Sequence, residues 1–226
     1  MVLFARTAPE EANHKNLVPQ LPLAQQQPIF EAFNQNSLAL LAATGLPYFL
    51  ITSAGQKGHT FGERLYQALA QTFAQGYEQV IVIGNDCPQL QVEDLLRASH
   101  LLKNNGSVLG PNHNGGIYLL GLHKSVFEKA ACFTQIGWQT PALLQELTAL
   151  LQQPGEGVAC LTTYSDINNP QDLQKARRNK WLGRSLCNWI HRLVAQLVPR
   201  LPGSDFFALP ACFQPAVRFR GPPLFV

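Results

Sequence analysis

Residues 79–88, Gln79-Val80-Ile81-Val82-Ile83-Gly84-Asn85-Asp86-Cys87-Pro88, decide the fold. Four β-branched residues in a row, with a glycine next and a carboxylate two positions later, read as a strand covered on both faces that runs into a polar loop. Ligands of open parallel sheets gather beyond the carboxyl ends of the strands, where loops converge on a rigid frame. Asp86 stands at such an end, with Gly84 leaving room for a ligand at the backbone and Pro88 stiffening the turn. The plainer alternative is an Asx-type turn that starts a helix.

The pattern extends outward in both directions. On the N-terminal side Phe61, Leu65, Leu69 and Phe73 recur every fourth position, and Gly76 stops what reads as an amphipathic helix over 61–75. On the other side Val92, Leu95, Leu96, Ser99 and Leu102 predict a helix over 91–103, ended by Asn104-Asn105-Gly106. Short apolar runs at 2–5, 47–51 and 107–110 supply further strands, and strand-helix-strand order predicts parallel pairing. The run at 116–122 follows the one at 107–110 too closely for a helical crossover, so it is expected antiparallel or at a sheet corner. Helices are expected near 29–43, 139–152 and 170–199, and a last strand near 157–161. Beyond residue 200 the prolines at 202, 210, 215, 222 and 223 preclude long regular structure.

Composition narrows the class. The 226 residues suit one domain with an appendage. Seventeen basic and 14 acidic residues give a net charge of +3, and the charged share of 14% is low against a usual figure of about 25%, which argues against a nucleic-acid binder. Five cysteines, Cys87, Cys132, Cys160, Cys187 and Cys212, form no CxxC pair, and Met1 to Arg6 is too short an apolar run for a signal peptide, so a cytoplasmic protein is expected.

Two further motifs carry polar chemistry. In Gly110-Pro111-Asn112-His113-Asn114-Gly115-Gly116-Ile117-Tyr118, the paired glycines before a strand suggest backbone held close to a ligand, or a tight turn. In Tyr164-Ser165-Asp166-Ile167-Asn168-Asn169-Pro170-Gln171-Asp172-Leu173, Asp166 and Asn168 follow the last strand as candidate ligands. There Asn169 reads as a helix cap and Asp172 as a complement to the helix dipole. Trp138, ahead of Thr140, either stacks on a base or sugar or seals the core. His59, His113 and His123 lie near these expected loops without the spacing of a zinc site.

Taken in order, these motifs resemble the glycosyltransferase-A-like family known as domain of unknown function 2064, or radical-SAM/selenodomain-associated transferase. The matching pieces are Phe4-Ala5-Arg6 with Lys15, Gly62-Glu63-Arg64, Gly84 to Leu90, Gly110 to Leu122, Trp138-Gln139-Thr140, and Asp166 to Leu173, which span roughly residues 1–175. The family is similar to the molybdopterin and phospholactate guanylyltransferases. The resemblance implies a three-layer α/β/α sandwich with a mostly parallel central sheet, the Rossmann-like nucleotide-diphospho-sugar transferase (GT-A) fold, over residues 1–174, with an amphipathic helix and proline-rich tail over 175–226. It also implies a transferase acting on a nucleotide or nucleotide-sugar donor, with Asp86 and Asp166 as catalytic and metal-site carboxylates for Mg²⁺ or Mn²⁺ and Asn168 beside them. Arg6, Lys15 and Arg64 would meet phosphates, and Gly84, Asn114, Gly115, Gly116, Trp138 and Thr140 would line the donor site.

The chain departs from the family pattern at three places. Asn114 stands where the family has Asp before the two glycines, and Asn168 replaces a second Asp in the last motif. An amide oxygen can coordinate but brings no charge to a divalent metal. After Arg6 there is no glycine-rich loop to wrap phosphates. The alternative reading is therefore a catalytically degenerate relative that binds a ligand or a protein. The apolar positions Trp181, Leu182, Leu186, Trp189, Ile190, Leu193, Val194 and Leu197, preceded by Lys175, Arg177, Arg178 and Lys180, form a face expected to pack on its own domain or on a second subunit of a homodimer. A membrane surface is the competing partner for 175–199.

Overall fold

The computed structural model describes residues 1–183 except 131, 153, 154 and 156, together with 186–188, 190 and 192. The element order is β1 (Val2–Ala5), α1 (Ala8–His14), α2 (Leu23–Ala43), β2 (Phe49–Thr52), α3 (Phe61–Ala74), β3 (Gln79–Ile83), α4 (Val92–Leu102), β4 (Ser107–Pro111), β5 (Ile117–His123), α5 (Lys124–Lys129), α6 (Leu143–Leu151), β6 (Val158–Cys160) and α7 (Pro170–Arg178). The six strands form one sheet in the order β2-β1-β3-β5-β4-β6. Neighbouring pairs are parallel except where β5 meets β3 and β4.

Alternation along the strands divides the core into two layers. Val2, Phe4, Val80, Val82, Leu120 and Leu122 face α3, α5 and α6, where Leu69, Phe127 and Leu147 are buried together with Phe133 of the turn after α5. Leu3, Ala5, Ile81, Ile83 and Leu119 face the opposite way, against Leu41 of α2 and Leu95, Ala98 and Leu102 of α4. Each fully buried Leu or Phe is worth about 1.5–3 kcal/mol relative to exposure, so the two faces together fix the strand register. This is the expected three-layer α/β/α sandwich.

Three expectations need correction. Strand β4 runs parallel to β3, as strand-helix-strand order requires, but β5 lies between them. The turn at 112–116 is short enough to bring β5 back antiparallel into that gap. Helix α2 begins at Leu23, and Pro28 lies inside it. Its first turns are secured by the buried Gln26, whose amide accepts from the N–H of Leu17 and Val18 and donates to the carbonyls of Val18 and Leu21. Finally, the helix expected over 170–199 stops, as α7, at Arg178. Lys180 adopts φ 57°, and the N–H of Lys180 and Trp181 reach back to the carbonyls of Arg177 and Ala176, a Schellman stop made without glycine.

Helix α7 runs from Pro170 to Arg178. Leu173, Ala176, Leu182 and Ile190 join Leu17, Ile29 and Phe30 in a third cluster, so this stretch packs on its own domain. Trp189, Leu193, Val194, Leu197 and the proline-rich tail lie outside the described residues. Among the described residues, no helix is long and apolar enough to cross a membrane, and Cys87, Cys132, Cys160 and Cys187 are free thiols.

Candidate functional site

One end of the sheet carries the site. Strands β1, β3 and β4 finish there, and β5, running the other way, begins there at Ile117. The chain after β6 is tied along the same rim. Leu161 N–H donates to the Leu109 carbonyl at 2.8 Å, Tyr164 N–H to Pro111 at 3.1 Å, and Ile167 N–H to the carbonyl of Asp86 at 2.8 Å. These segments enclose a cleft of about 450 Å³. The size suits a nucleotide-scale ligand.

The β1/β3 side of the cleft is a chain of ion pairs. Helix α1 starts with Pro9 in its first turn and places Glu11 and Lys15 one helical turn apart. Glu11 is almost fully buried and accepts from Arg6 at 3.0 Å and from Lys15 at 3.2 Å. The Lys15 ammonium also meets Asp86 Oδ2 at 2.7 Å and the Ile167 carbonyl at 3.3 Å. Burial works against the Lys15 charge, but Asp86 and Glu11 outweigh it and hold the ammonium above its ordinary pKa. Gly84 lies beside this pair, where an added Cβ would stand 3.2 Å from Asp86 Oδ1. Glu11 escaped the sequence reading. Its signal was the i,i+4 spacing to Lys15 just after Pro9.

The β4/β6 side is neutral apart from Asp166. Asn112, another residue the sequence reading passed over, donates its amide to Asp166 Oδ2 and accepts with its carbonyl from the N–H of Asn114 at 3.0 Å and Gly116 at 2.7 Å. Asp166 Oδ1 is buried without a partner. Burial first, and then the charge of Asp86, push the Asp166 carboxyl up to about 7, against the pull of Asn112 and Lys15. The two carboxylates sense one another across the cleft. The same burial, with Asp166 and Asp86 adding to it, raises the Cys87 thiol far above its ordinary range and keeps it protonated.

The glycines of the second motif are explained by packing. Gly115 adopts φ +80°, and a Cβ there would come within 2.0 Å of the Pro141 carbonyl oxygen. Gly115 is a turn residue that does not line the cleft, whereas Asn114 and Gly116 do. The register slips between Gly110 and Pro111, leaving Tyr118 as an extra residue on β5. Its ring lies against Gly110 and stacks on Tyr164 at 5.2 Å, and its hydroxyl donates to the Thr162 carbonyl.

The remaining wall mixes aromatic and polar side chains. Trp138 lines the cleft, yet its indole N–H donates to the Phe133 carbonyl at 2.8 Å and its ring packs on Phe61 and Phe133. Gly62 is required there, because a Cβ would touch the indole at 2.5 Å. Thr140 and Asn168 also line the cleft, as does Arg64, whose guanidinium donates to the His59 carbonyl at 3.0 Å. Glu63 instead closes a capping box with Thr60 at the start of α3. His123 lies at the far end of β5 and caps α5, away from the site. Among the described residues, no group of three or more His, Cys, Asp and Glu side chains is arranged to hold a metal ion.

The site motifs at Arg64, Asp86, Asn114 and Trp138 fall within the segment that matches a family model. That model, described as uncharacterized protein conserved in bacteria (DUF2064), covers residues 18–140, more than half of the chain. The chain belongs to the DUF2064 family. Among solved structures, this DUF2064 protein is similar to a "putative nucleotide-diphospho-sugar transferase" from Desulfovibrio desulfuricans G20. The identity is 20% and the TM-score 0.69, over 87% of this chain and 96% of that one. At that identity the likeness establishes the nucleotide-diphospho-sugar transferase fold. Rv0371c from Mycobacterium tuberculosis H37Rv, alone and in complex with manganese, aligns at 14% identity over 77% of this chain and 95% of its own, with TM-scores of 0.41 and 0.40. Neither bears on this site at such scores. No curated protein matches the chain.

Proposed function

We propose that the cleft binds a nucleotide-activated sugar or a related nucleotide donor and transfers its activated group to a hydroxyl acceptor. The observation that carries this reading is the convergence of Arg6, Lys15, Arg64, Asp86 and Asp166 from distant segments on one cleft whose other wall holds Phe61, Ile117 and Trp138. Cations at one end suit a diphosphate, and an apolar aromatic wall suits a base or sugar ring.

In the transfer, the acceptor oxygen bonds to the donor's activated carbon as the bond from that carbon to the diphosphate oxygen breaks. The electron pair leaves on the diphosphate, where Arg6, Lys15 and Arg64 meet its charge. The acceptor proton passes to Asp166, which ionises near neutrality and has one carboxylate oxygen without a partner. Asp86 holds Lys15 in position. A divalent metal would be held by Asp86 and Asp166, would supply positive charge toward the leaving diphosphate, and would meet one oxygen of each aspartate already engaged, with Oδ1 of Asp166 left without a partner. Oδ2 of Asp86 faces the Lys15 ammonium, Oδ2 of Asp166 accepts from Asn112, and Asn114 and Asn168 bring no charge.

Calorimetric titration with a panel of nucleotide sugars tests the reading. Binding of at least one donor, lost in Asp86→Ala, supports it, and turnover that rises with pH through about 7 supports the role of Asp166. Binding with no turnover of any donor favours the degenerate ligand-binding alternative, to which the neutral Asn114 and Asn168 point.

A further inference from the structure

Charge is divided unevenly along the chain. Of the 17 basic and 14 acidic residues, nine basic and one acidic fall in 173–226, which leaves eight basic and 13 acidic in 1–172. The two parts carry net charges of +8 and −5. Between Asp172 and Asp205 there is no acid, against seven Lys and Arg residues from Lys175 to Arg200.

The fold turns the first of these cations outward. Leu173 and Ala176 of α7 are buried against the domain, as are Leu182 and Ile190 beyond it. Lys175 and Arg178, one turn apart on the opposite face of α7, are exposed, and so is Lys180 at the left-handed stop. The ion pairs among the described residues all belong to the cleft, and none involves these three. Lys175 instead lies over the ring of the half-buried Trp181 at 5.5 Å. The dipole of α7 accounts for cations in its last turn. It does not account for Lys180 or for Arg184, Arg192 and Arg200 further on. Like charges one turn apart weaken a helix, so this surface costs stability unless something anionic covers it.

We propose that the basic surface of α7, with the segment that follows it, binds the anionic face of a lipid bilayer. A phosphate polymer needs cations alone. Residues 173–226 add two Trp and five Phe to theirs, and cations joined to aromatic and apolar side chains suit headgroups lying over acyl chains. The net −5 of residues 1–172 is repelled by the same bilayer, which confines contact to the basic side. The proposal does not depend on what the cleft binds.

Cosedimentation of the full chain with sucrose-loaded vesicles tests it. The expected result is binding to vesicles of equal parts phosphatidylglycerol and phosphatidylcholine, none to phosphatidylcholine alone, and release at about 0.5 M salt. The triple variant Lys175→Gln, Arg178→Gln, Lys180→Gln is expected to partition about 100-fold more weakly, at roughly fivefold per cation. Its three side chains are exposed, and a native circular-dichroism spectrum confirms that the fold is kept. Equal binding to both kinds of vesicle, or binding to neither, overturns the proposal from the native chain alone. Retention on RNA without vesicle binding overturns it in favour of a nucleic-acid surface, and a folded triple variant that partitions like the native chain overturns the part given to α7.

Discussion

Asp86 and Asp166 line the same cleft yet live in opposite surroundings. Asp86 is part-exposed and carries an ammonium at 2.7 Å. Asp166 is 8% exposed, held by one neutral amide, and has an oxygen with no partner. The first carboxylate is stabilised as an anion by its neighbours, and the second is destabilised as one by burial and by the first. One half of the cleft is therefore settled without a ligand. The other half keeps an unmet demand for a proton or a hydrogen-bond donor.

The largest effect is expected from removing the cation that creates the difference. Lys15→Met leaves buried Glu11 with Arg6 alone and Asp86 with no partner in the chain of pairs. Breaking a buried pair from one side costs about 3–5 kcal/mol, which lowers the melting temperature by roughly 10 °C in a domain of this size. An unchanged melting temperature would mean that the ammonium does not hold this half of the cleft together.

Asp166→Asn is expected to act in the opposite direction. The carboxyl titrates at about 7 when folded against an ordinary value of 3.8, so between those values the native state holds a proton that the unfolded chain has released. Stability thus falls as pH rises through that window and is flat above it. The neutral amide removes the loss, and the variant gains about 2–4 kcal/mol at pH 8 but little at pH 4. Urea unfolding at the two pH values checks this, and a difference independent of pH counts against the buried charge.

Next in size is Gly115→Ala, on the β4/β6 side. With φ at +80° and the Pro141 oxygen 2.0 Å from the new Cβ, the 112–116 turn has to shift. A cost of about 2 kcal/mol is expected from strain of this kind, with a loosened Asn112–Asp166 contact visible in the Asp166 titration by NMR. Loss of stability without any change in that titration would separate the turn from the carboxylate it supports.

How much of this was legible in the sequence follows from which forces are local. The strands at 2–5, 79–84 and 107–110 announce themselves because a sheet covered on both faces needs unbroken apolar runs. Asp86 and Asp166 stand out as candidates because each follows an apolar run, and both line the cleft. Glu11 was missed because a buried glutamate looks like any surface glutamate until Arg6 and Lys15 close on it. Asn112 carries no signal of its own in the sequence, because its role depends on the bonds its side chain makes to the N–H of Asn114 and Gly116 once the loop has folded. The place of β5 between β3 and β4 depends on long-range pairing, and the stop at Lys180 depends on a left-handed conformation that lysine rarely adopts. Neither has a local signature.

The smallest effect, from Tyr164→Phe, asks whether the contrast between the two aspartates is set locally or by the segment that carries Asp166. Tyr164 anchors that segment twice: its ring stacks on Tyr118 at 5.2 Å, and its hydroxyl donates to the Asp94 carboxylate at 3.1 Å. Phenylalanine keeps the stacking and loses only the hydrogen bond, which at this part-buried position is worth about 1 kcal/mol. The backbone bonds from Tyr164 to Pro111 and from Ile167 to Asp86 remain. The stability loss should therefore appear equally at pH 5 and pH 8, with the Asp166 titration unmoved. A titration that shifts with the hydroxyl would show that the Tyr164–Asp94 contact, more than the burial of Asp166 itself, sets the gap between the two carboxylates.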